Sequence, residues 1–329
     1  MKKLILGPMA TLSHEAFRRC VESFGGCDEY FTEMINVSSL LTKGPFEKYY
    51  LINETSPQKI VWQLTGNNEE VIPLAVKELK TLGGLGIDLN MGCSAPQIFK
   101  TGAGISWMTK PVEITKKLVR NTKDEIEKNK FDDGTSFRLS VKCRLGKDDF
   151  TDEDFFSFTD MLVENGVDLI TIHPRTMKEK MRGKPKYLYA EKLCERYKKQ
   201  NVKIYVNGGI KDSASKNECE SLCPSVDGFM ILQQAAITPW IFAQLNNLKQ
   251  TIDRKQVALK FIDDVVKYQP EEFIKTRIQR FFYYYCTQFK FGHYFQTQVL
   301  NFKSVEECKN RINEYFEKQS EEQFLQIGS

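Results

Sequence analysis

Lys203-Ile204-Tyr205-Val206-Asn207-Gly208-Gly209-Ile210 is a short apolar run that breaks at Asn-Gly-Gly, and its rank among similar runs identifies the architecture. Adjacent glycines let backbone N–H groups approach a ligand closely. A helix opens just beyond, at Asp212-Ser213. Runs of the same kind occupy residues 4–10, 29–34, 59–66, 86–92, 137–146, 169–175 and 228–235, so this run is the seventh of eight. Most are nearly continuous in apolar residues, as expected of strands buried on both faces. Helix-like stretches separate them, among them 112–129, 151–165 and 186–200. Thr151, with Asp154 three residues on, reads as a helix cap. Eight such units predict a TIM-type (β/α)8 barrel rather than an open doubly wound sheet. No Gly-x-Gly-x-x-Gly follows the first run, which argues against a Rossmann domain.

The pattern changes near Thr251. Residues 255–268, 271–289 and 304–318 read as helices with no strand between them, punctuated by Pro270 and Gly292. The expected architecture is an α/β protein: a (β/α)8 barrel over 1–248, then a small all-α domain over 251–329.

With 329 residues, 41% of them hydrophobic, the chain can bury a large core. The opening Met1-Lys2-Lys3-Leu4-Ile5-Leu6 imitates a secretory signal, but Gly7-Pro8 ends it and no small-residue cleavage site follows. No run approaches the ~20 apolar residues of a membrane span. Nine cysteines are scattered singly, which points to reduced thiols in the cytoplasm. Cys219 and Cys223 are one residue too far apart for Cys-x-x-Cys. None of the three histidines (His14, His173, His293) pairs with a cysteine at zinc spacing, so no metal is expected. A net charge of +4 permits a polyanionic partner without demanding one.

Barrel enzymes place catalytic groups at the C-terminal ends of strands. Here those ends carry Pro8-Met9-Ala10, Glu33, Gln63, Asn90 with Cys93, Lys142 with Arg144, His173 with Arg175, Asn207-Gly208-Gly209, and Gln233-Gln234. So complete a ring of polar groups predicts an active site. Loops after strands seven and eight commonly hold phosphate, which is the expectation for Asn207, Gly208 and Gly209; the bland alternative is a tight turn. A thiol on a glycine-flanked loop, as at Cys93, can transfer a proton or attack an electrophile, though most free cysteines are simply buried.

Asp88-Leu89-Asn90-Met91-Gly92-Cys93, continuing to Gly102-Ala103-Gly104, resembles the active-site segment of tRNA-dihydrouridine synthases. So do, in order, Gly7-Pro8-Met9-Ala10, Thr32-Glu33-Met34, Gln63-Leu64, Val141-Lys142-Cys143-Arg144-Leu145-Gly146, Ile172-His173-Pro174-Arg175-Thr176, Asn207-Gly208-Gly209-Ile210 and Gly228-Phe229-Met230-Ile231. The resemblance implies FMN as cofactor, NADPH or NADH as reductant, and tRNA as partner. It implies that Cys93 protonates carbon 5 of uracil as hydride reaches carbon 6. Pro8, Met9 and Ala10 would lie along the flavin, Gln63 and Lys142 would hydrogen-bond its ring system, and His173 would sit near it. Asn207, Gly208 and Gly209 would face its phosphate, while Asn90 and Arg175 would shape the uracil and RNA side. A monomer is expected.

The chain departs from the family at strand eight. Where the family continues Gly-Arg, this sequence has Leu232-Gln233, and a lost charge-assisted bond to phosphate would weaken FMN about ten- to a hundredfold unless Lys211 compensates. Ser94 replaces the proline that follows the cysteine. For RNA contact the candidates are Lys178, Lys180 and Arg182 on the strand-six loop, and Arg277 and Arg280 beside Phe281-Phe282-Tyr283-Tyr284-Tyr285. The alternatives are a flavin-poor RNA-binding scaffold, a flavin barrel acting on a small pyrimidine or enone, and a synthase acting on ribosomal RNA.

Overall fold

The computed structural model describes residues 2–147 and 151–328; Met1 and Ser329, the outer ends of the two expected units, lie outside them. Among the described residues, eight parallel strands stand side by side: β1 (Lys3–Leu6), β2 (Glu29–Phe31), β3 (Ile60–Thr65), β4 (Gly86–Met91), β5 (Arg138–Arg144), β6 (Leu169–His173), β7 (Lys203–Asn207) and β8 (Gly228–Ile231). β8 returns to β1, with Met230 opposite Ile5, and the sheet closes into a barrel. A two-residue strand, Ile35–Asn36, extends the β3 edge at its C-terminal end. The barrel expected from the sequence is present. Its strands stop short of the apolar runs because the last residues of each run leave the ladder to build the mouth.

Helices α1 (Glu15–Glu22), α2 (Ala75–Lys80), α3 (Val112–Lys128), α4 (Asp152–Glu164), α5 (Leu188–Tyr197) and α6 (Ser213–Leu222) connect the strands. α4 starts where the sequence says: the Thr151 side chain accepts from the Asp154 amide, and the Asp154 carboxylate accepts from the Thr151 amide. Asp212 caps α6 in the same way, accepting from the Ser215 amide.

Strand β5 shows how one sequence serves two environments. Side chains alternate across a strand, so Leu139, Val141 and Cys143 enter the large core between strands and helices. Arg138, Ser140, Lys142 and Arg144 turn into the barrel. An inner apolar layer of Ile5, Phe31, Val61, Leu169, Tyr205 and Met230 fills much of the interior. At the barrel floor Arg138 forks onto Glu29 at 2.9 and 2.7 Å, and Lys3 and the Tyr205 hydroxyl each donate to it at 2.8 Å. Burial favours the protonated acid, but these donors outweigh it and hold the carboxyl at about 2.

Beyond β8 come short helices α7 (Gln233–Ile237) and α8 (Ile241–Leu245), then α9 (Arg254–Tyr268), α10 (Glu271–Tyr285), α11 (Gly292–Leu300) and α12 (Val305–Lys318). This region is helical, as expected, but not free of strand. β9 (Gln250–Asp253) pairs antiparallel with β10 (Phe324–Ile327), closing the helices into one loop of chain. The ribbon is four residues a side, too short for its alternation to stand out in the sequence. α11 also goes beyond expectation, because Gly292 starts a helix rather than merely separating two.

The helices dock on the barrel through stacked rings and a buried ion pair. Phe261 lies flat on Phe281 with centroids 3.9 Å apart, and Phe17 of α1 meets both. Arg277 of α10 donates to Glu33 at 2.7 Å, and both side chains are at most 5% exposed. Arg277, expected to contact RNA, is therefore buried in the interface and offers no cation to a phosphate. Burial pushes the Glu33 carboxyl up, while Arg277 draws it back. Phe281, Phe282 and Tyr285 are likewise core residues, leaving Tyr283 exposed.

Replacing Arg277 with Met strands the Glu33 carboxylate. Denaturant titration at pH 7 is expected to show a loss of about 3–5 kcal/mol, as for other broken buried pairs. Because the raised carboxyl is stable when protonated, the loss shrinks as pH falls toward 4.5. A change below about 1 kcal/mol would show that this pair does not hold the helices in place.

Candidate active site

The C-terminal ends of the strands enclose two adjoining cavities of about 270 and 530 Å³. Met9, Lys142, Arg144, Met181 and Arg280 line both. The larger takes in Pro8, Ala10, Gln63, Asn90, Cys93 and Lys180. The smaller takes in His173, Asn207, Gly208, Gly209, Lys211, Leu232, Gln233 and Tyr284. Every barrel residue expected to hold a cofactor thus lines one mouth.

A chain of hydrogen bonds positions the thiol loop. Asp88, fully buried in β4, accepts from the Ser140 hydroxyl at 2.7 Å and from Gln63 Nε2 at 2.8 Å. The Gln63 carbonyl then accepts from Asn90 Nδ2 at 2.9 Å, and Asn90 Oδ1 accepts from the Cys93 amide at 3.0 Å. Asn90, expected beside uracil, therefore acts first on the backbone of Cys93. Burial lifts the Asp88 carboxyl to about 6, opposed by Gln63 and Ser140. Beneath the loop, the Ile105 amide donates to the Cys93 carbonyl at 3.0 Å. Gly104 has φ +60° there, and a Cβ at that position would strike the same carbonyl. That contact explains the glycine of the Gly102-Ala103-Gly104 segment.

Arg144 lines both cavities, and the sequence leaves its role unassigned. Its Nε donates to the Gly92 carbonyl at 3.1 Å and its Nη1 to the Lys180 carbonyl at 3.0 Å, tying the loop after β4 to the loop after β6. Burial brings its guanidinium down to about 10, so it stays charged at neutral pH.

Lys142 differs from Arg144 in having no hydrogen-bond or ion-pair partner among the described residues. Burial and the neighbouring Arg144 lower its ammonium to about 8. His173 is pushed down to about 2 by burial and then by Arg144, Lys142 and Arg175, so it is neutral. Arg175 Nη1 lies 3.0 Å from His173 Nε2, and arginine only donates. The histidine proton is therefore on Nδ1.

Arg175 itself is turned inward. It is 5% exposed, and its Nε and Nη2 donate to the Gly183 carbonyl at 3.2 and 2.7 Å. Expected to shape the uracil and RNA side, it folds the β6 loop back on itself and fixes the His173 tautomer. Lys178, Lys180 and Arg182 on that loop are exposed and carry no ion pair among the described residues, whereas Lys186 is paired with Glu179 at 2.8 Å.

Beside His173, at the end of β7, Gly208 has φ +106°, and a Cβ there would lie 2.8 Å from the His173 ring. Asn207 is pinned by its bond to the Met230 carbonyl at 2.8 Å. Leu232 sits at φ −124° and ψ −81°, just ahead of α7. Its side chain packs down on Gly7, where a Cβ would collide with it. Gln233 is exposed on the rim. No helix among the described residues is long and apolar enough to cross a membrane, and no cluster of potential metal ligands occurs among them.

A closed parallel barrel with a thiol, a half-buried cation and a neutral histidine converging on its C-terminal mouth defines a barrel enzyme. The dihydrouridine synthase (Dus) family matches residues 5–328, and the chain belongs to that family. It is 30% identical over 246 residues to a probable tRNA-dihydrouridine synthase of Aquifex aeolicus, covering 74% of this chain and 72% of that one. A probable tRNA-dihydrouridine synthase of Helicobacter pylori is 30% identical over 273 residues, 81% and 78% of the two chains. One from Staphylococcus aureus is 24% identical over 331 residues, 98% and 96%.

Substituting Asn90 with Ala leaves the Gln63 carbonyl and the Cys93 amide without their partner. Stability is expected to fall by about 1–3 kcal/mol, with faster alkylation of Cys93 in the folded protein. Unchanged labelling, followed by peptide mass spectrometry, would mean that Asn90 does not hold the loop.

Proposed function

We propose that the protein is an oxidoreductase that reduces the C5=C6 bond of uridines in tRNA to 5,6-dihydrouridine, using FMN and NADPH, with Cys93 as proton donor. The observation that carries this reading is the convergence of Cys93, Gln63, Lys142 and His173 on one mouth, whose two adjoining cavities have no carboxylate in their lining. Membership of the dihydrouridine synthase family supports it, as do the names of the relatives.

The mouth fits a flavin mononucleotide. Lys142 is a partly buried cation without an acceptor, suited to an electron-rich ring, and a cavity of about 270 Å³ opens beside Gly208 and Gly209, with Leu232 folded onto Gly7 at its edge. That opening favours a cofactor-binding enzyme over a flavin-poor scaffold. Pro8, Met9, Ala10, Gln63, Lys142, His173, Asn207, Gly208, Gly209, Leu232 and Gln233 are the residues that would hold it. When bound, FMN supplies the hydride for carbon 6 of uracil, at the expense of NADPH.

The remaining chemistry belongs to the chain. Cys93 delivers its thiol proton to carbon 5, so that one hydride and one proton together saturate the double bond. Asn90 and Arg144 hold the loop from which that proton comes. His173 stays neutral and offers its Nδ1 proton as a hydrogen-bond donor, not as an acid. Lys178, Lys180 and Arg182 give the rim an unpaired positive edge for the RNA backbone.

Cys93→Ala is expected to keep its flavin, read from visible absorbance, while dihydrouridine formation on tRNA falls about 100- to 10,000-fold. A flavin-loaded variant working at the native rate would sink the proton-donor role. Lys142 makes a separate prediction. Its positive charge is present below its value of about 8 and lost above it. FMN affinity should therefore decline as pH rises from 7 to 9, and Lys142→Arg should flatten that decline; a wild-type profile without an inflection near 8 counts against Lys142 as a flavin ligand.

A further inference from the structure

The smaller cavity collects four cations, Lys142, Arg144, Lys211 and Arg280, and no carboxylate lines it. Such a site repels cations and attracts an anion. Three of the four come from the barrel, and they are not equivalent. Arg144 is committed to the carbonyls of Gly92 and Lys180, and Lys142 stands inside the barrel on β5. Lys211 lies at the outer edge, in an exposed stretch just before α6.

Arg280 comes from elsewhere. It belongs to α10 and reaches the mouth from the helical side, where it lines both cavities. It forms no ion pair among the described residues, and its Nε is shut away from water without an acceptor. One turn later on the same helix face, Tyr284 stacks against the guanidinium with 5.0 Å from its central carbon to the ring centroid, and Tyr284 also lines the smaller cavity. A guanidinium braced by a ring, partly desolvated and facing a carboxylate-free cavity, is prepared for a planar fork onto an oxyanion. Gly208 and Gly209, both at positive φ, line the same cavity.

We propose that Arg280 is a ligand of the phosphate of the flavin mononucleotide, so that the helical region completes the cofactor site. The proposal rests on the flavin reading given above and reassigns Arg280 from RNA to cofactor. Its position agrees with that choice: it is half-buried within the cavity, whereas Lys178, Lys180 and Arg182 stand out in solvent.

Riboflavin lacks only the phosphate of FMN, and the comparison isolates the contact. Full-length protein stripped of flavin is titrated with each, following fluorescence quenching. Wild-type protein is expected to bind FMN more tightly than riboflavin. Arg280→Ala should weaken FMN about 10- to 100-fold and leave riboflavin unchanged, and Arg280→Lys should recover part of the loss. Unchanged riboflavin affinity also shows that the variant is folded. An FMN-to-riboflavin ratio in Arg280→Ala equal to that of wild type overturns the proposal while leaving the flavin reading intact. So does a variant whose loss is confined to tRNA in a gel-shift titration, which returns Arg280 to the RNA. Wild-type protein that takes up neither flavin overturns the cofactor reading and this proposal together, without any variant.

Discussion

Asp88 is sealed at mid-barrel, and while ionised it can only accept hydrogen bonds. That polarity propagates upward. Gln63 must present its amide N–H groups to the carboxylate, which leaves its carbonyl for Asn90. Asn90 must then give its own N–H to Gln63 and keep its carbonyl for the Cys93 backbone. Each amide taken alone has two equally good orientations, and the buried charge removes the choice from both. With its carboxyl at about 6, Asp88 is still ionised at neutral pH, so the sequence of donors and acceptors is complete under working conditions. A proton there would turn one acceptor into a donor and set the chain of bonds against itself.

The barrel is legible in the sequence because its signal is local and repeated. Each apolar run ends in a group unsuited to a core, such as Asn207 or Lys142, and eight repeats of that grammar leave few alternatives. The capping boxes at Thr151 and Asp212 are equally local and equally readable. The ribbon of β9 and β10 is not, because its partners are separated by the whole set of helices and neither strand is long enough to declare a period. α11 is hidden for a different reason. A glycine normally argues for a break, but here it is used where the carbonyl of Cys286 leaves no room for a side chain.

The candidate site divides along the same line. Residues at strand ends follow from the fold, so Gln63, Cys93, His173 and the Asn207-Gly208-Gly209 loop meet at one mouth. Arginines are harder, since their long side chains reach several ångströms in any direction. Arg277 and Arg280 lie three residues apart on α10 and look alike in sequence, yet one is neutralised against Glu33 in the interface while the other lines the mouth. Arg175 resembles an RNA contact until the Gly183 carbonyl is seen to occupy it. Which charge is spent internally depends on the carbonyls and carboxylates that the fold brings to it, and composition carries no trace of them.

The ribbon also imposes a chronology. All eight barrel strands are available once residue 231 has been synthesised, so the barrel can close early, from neighbours in sequence. The helices that follow are different: the strand that leads into them finds its partner only at residues 324–327. Until then β9 has an open edge, and α9 to α12 lack the tie that returns the chain to its starting point. A nascent chain therefore carries a finished barrel ahead of an unfinished clasp, and the helices are fastened only once residues 324–327 reach β9.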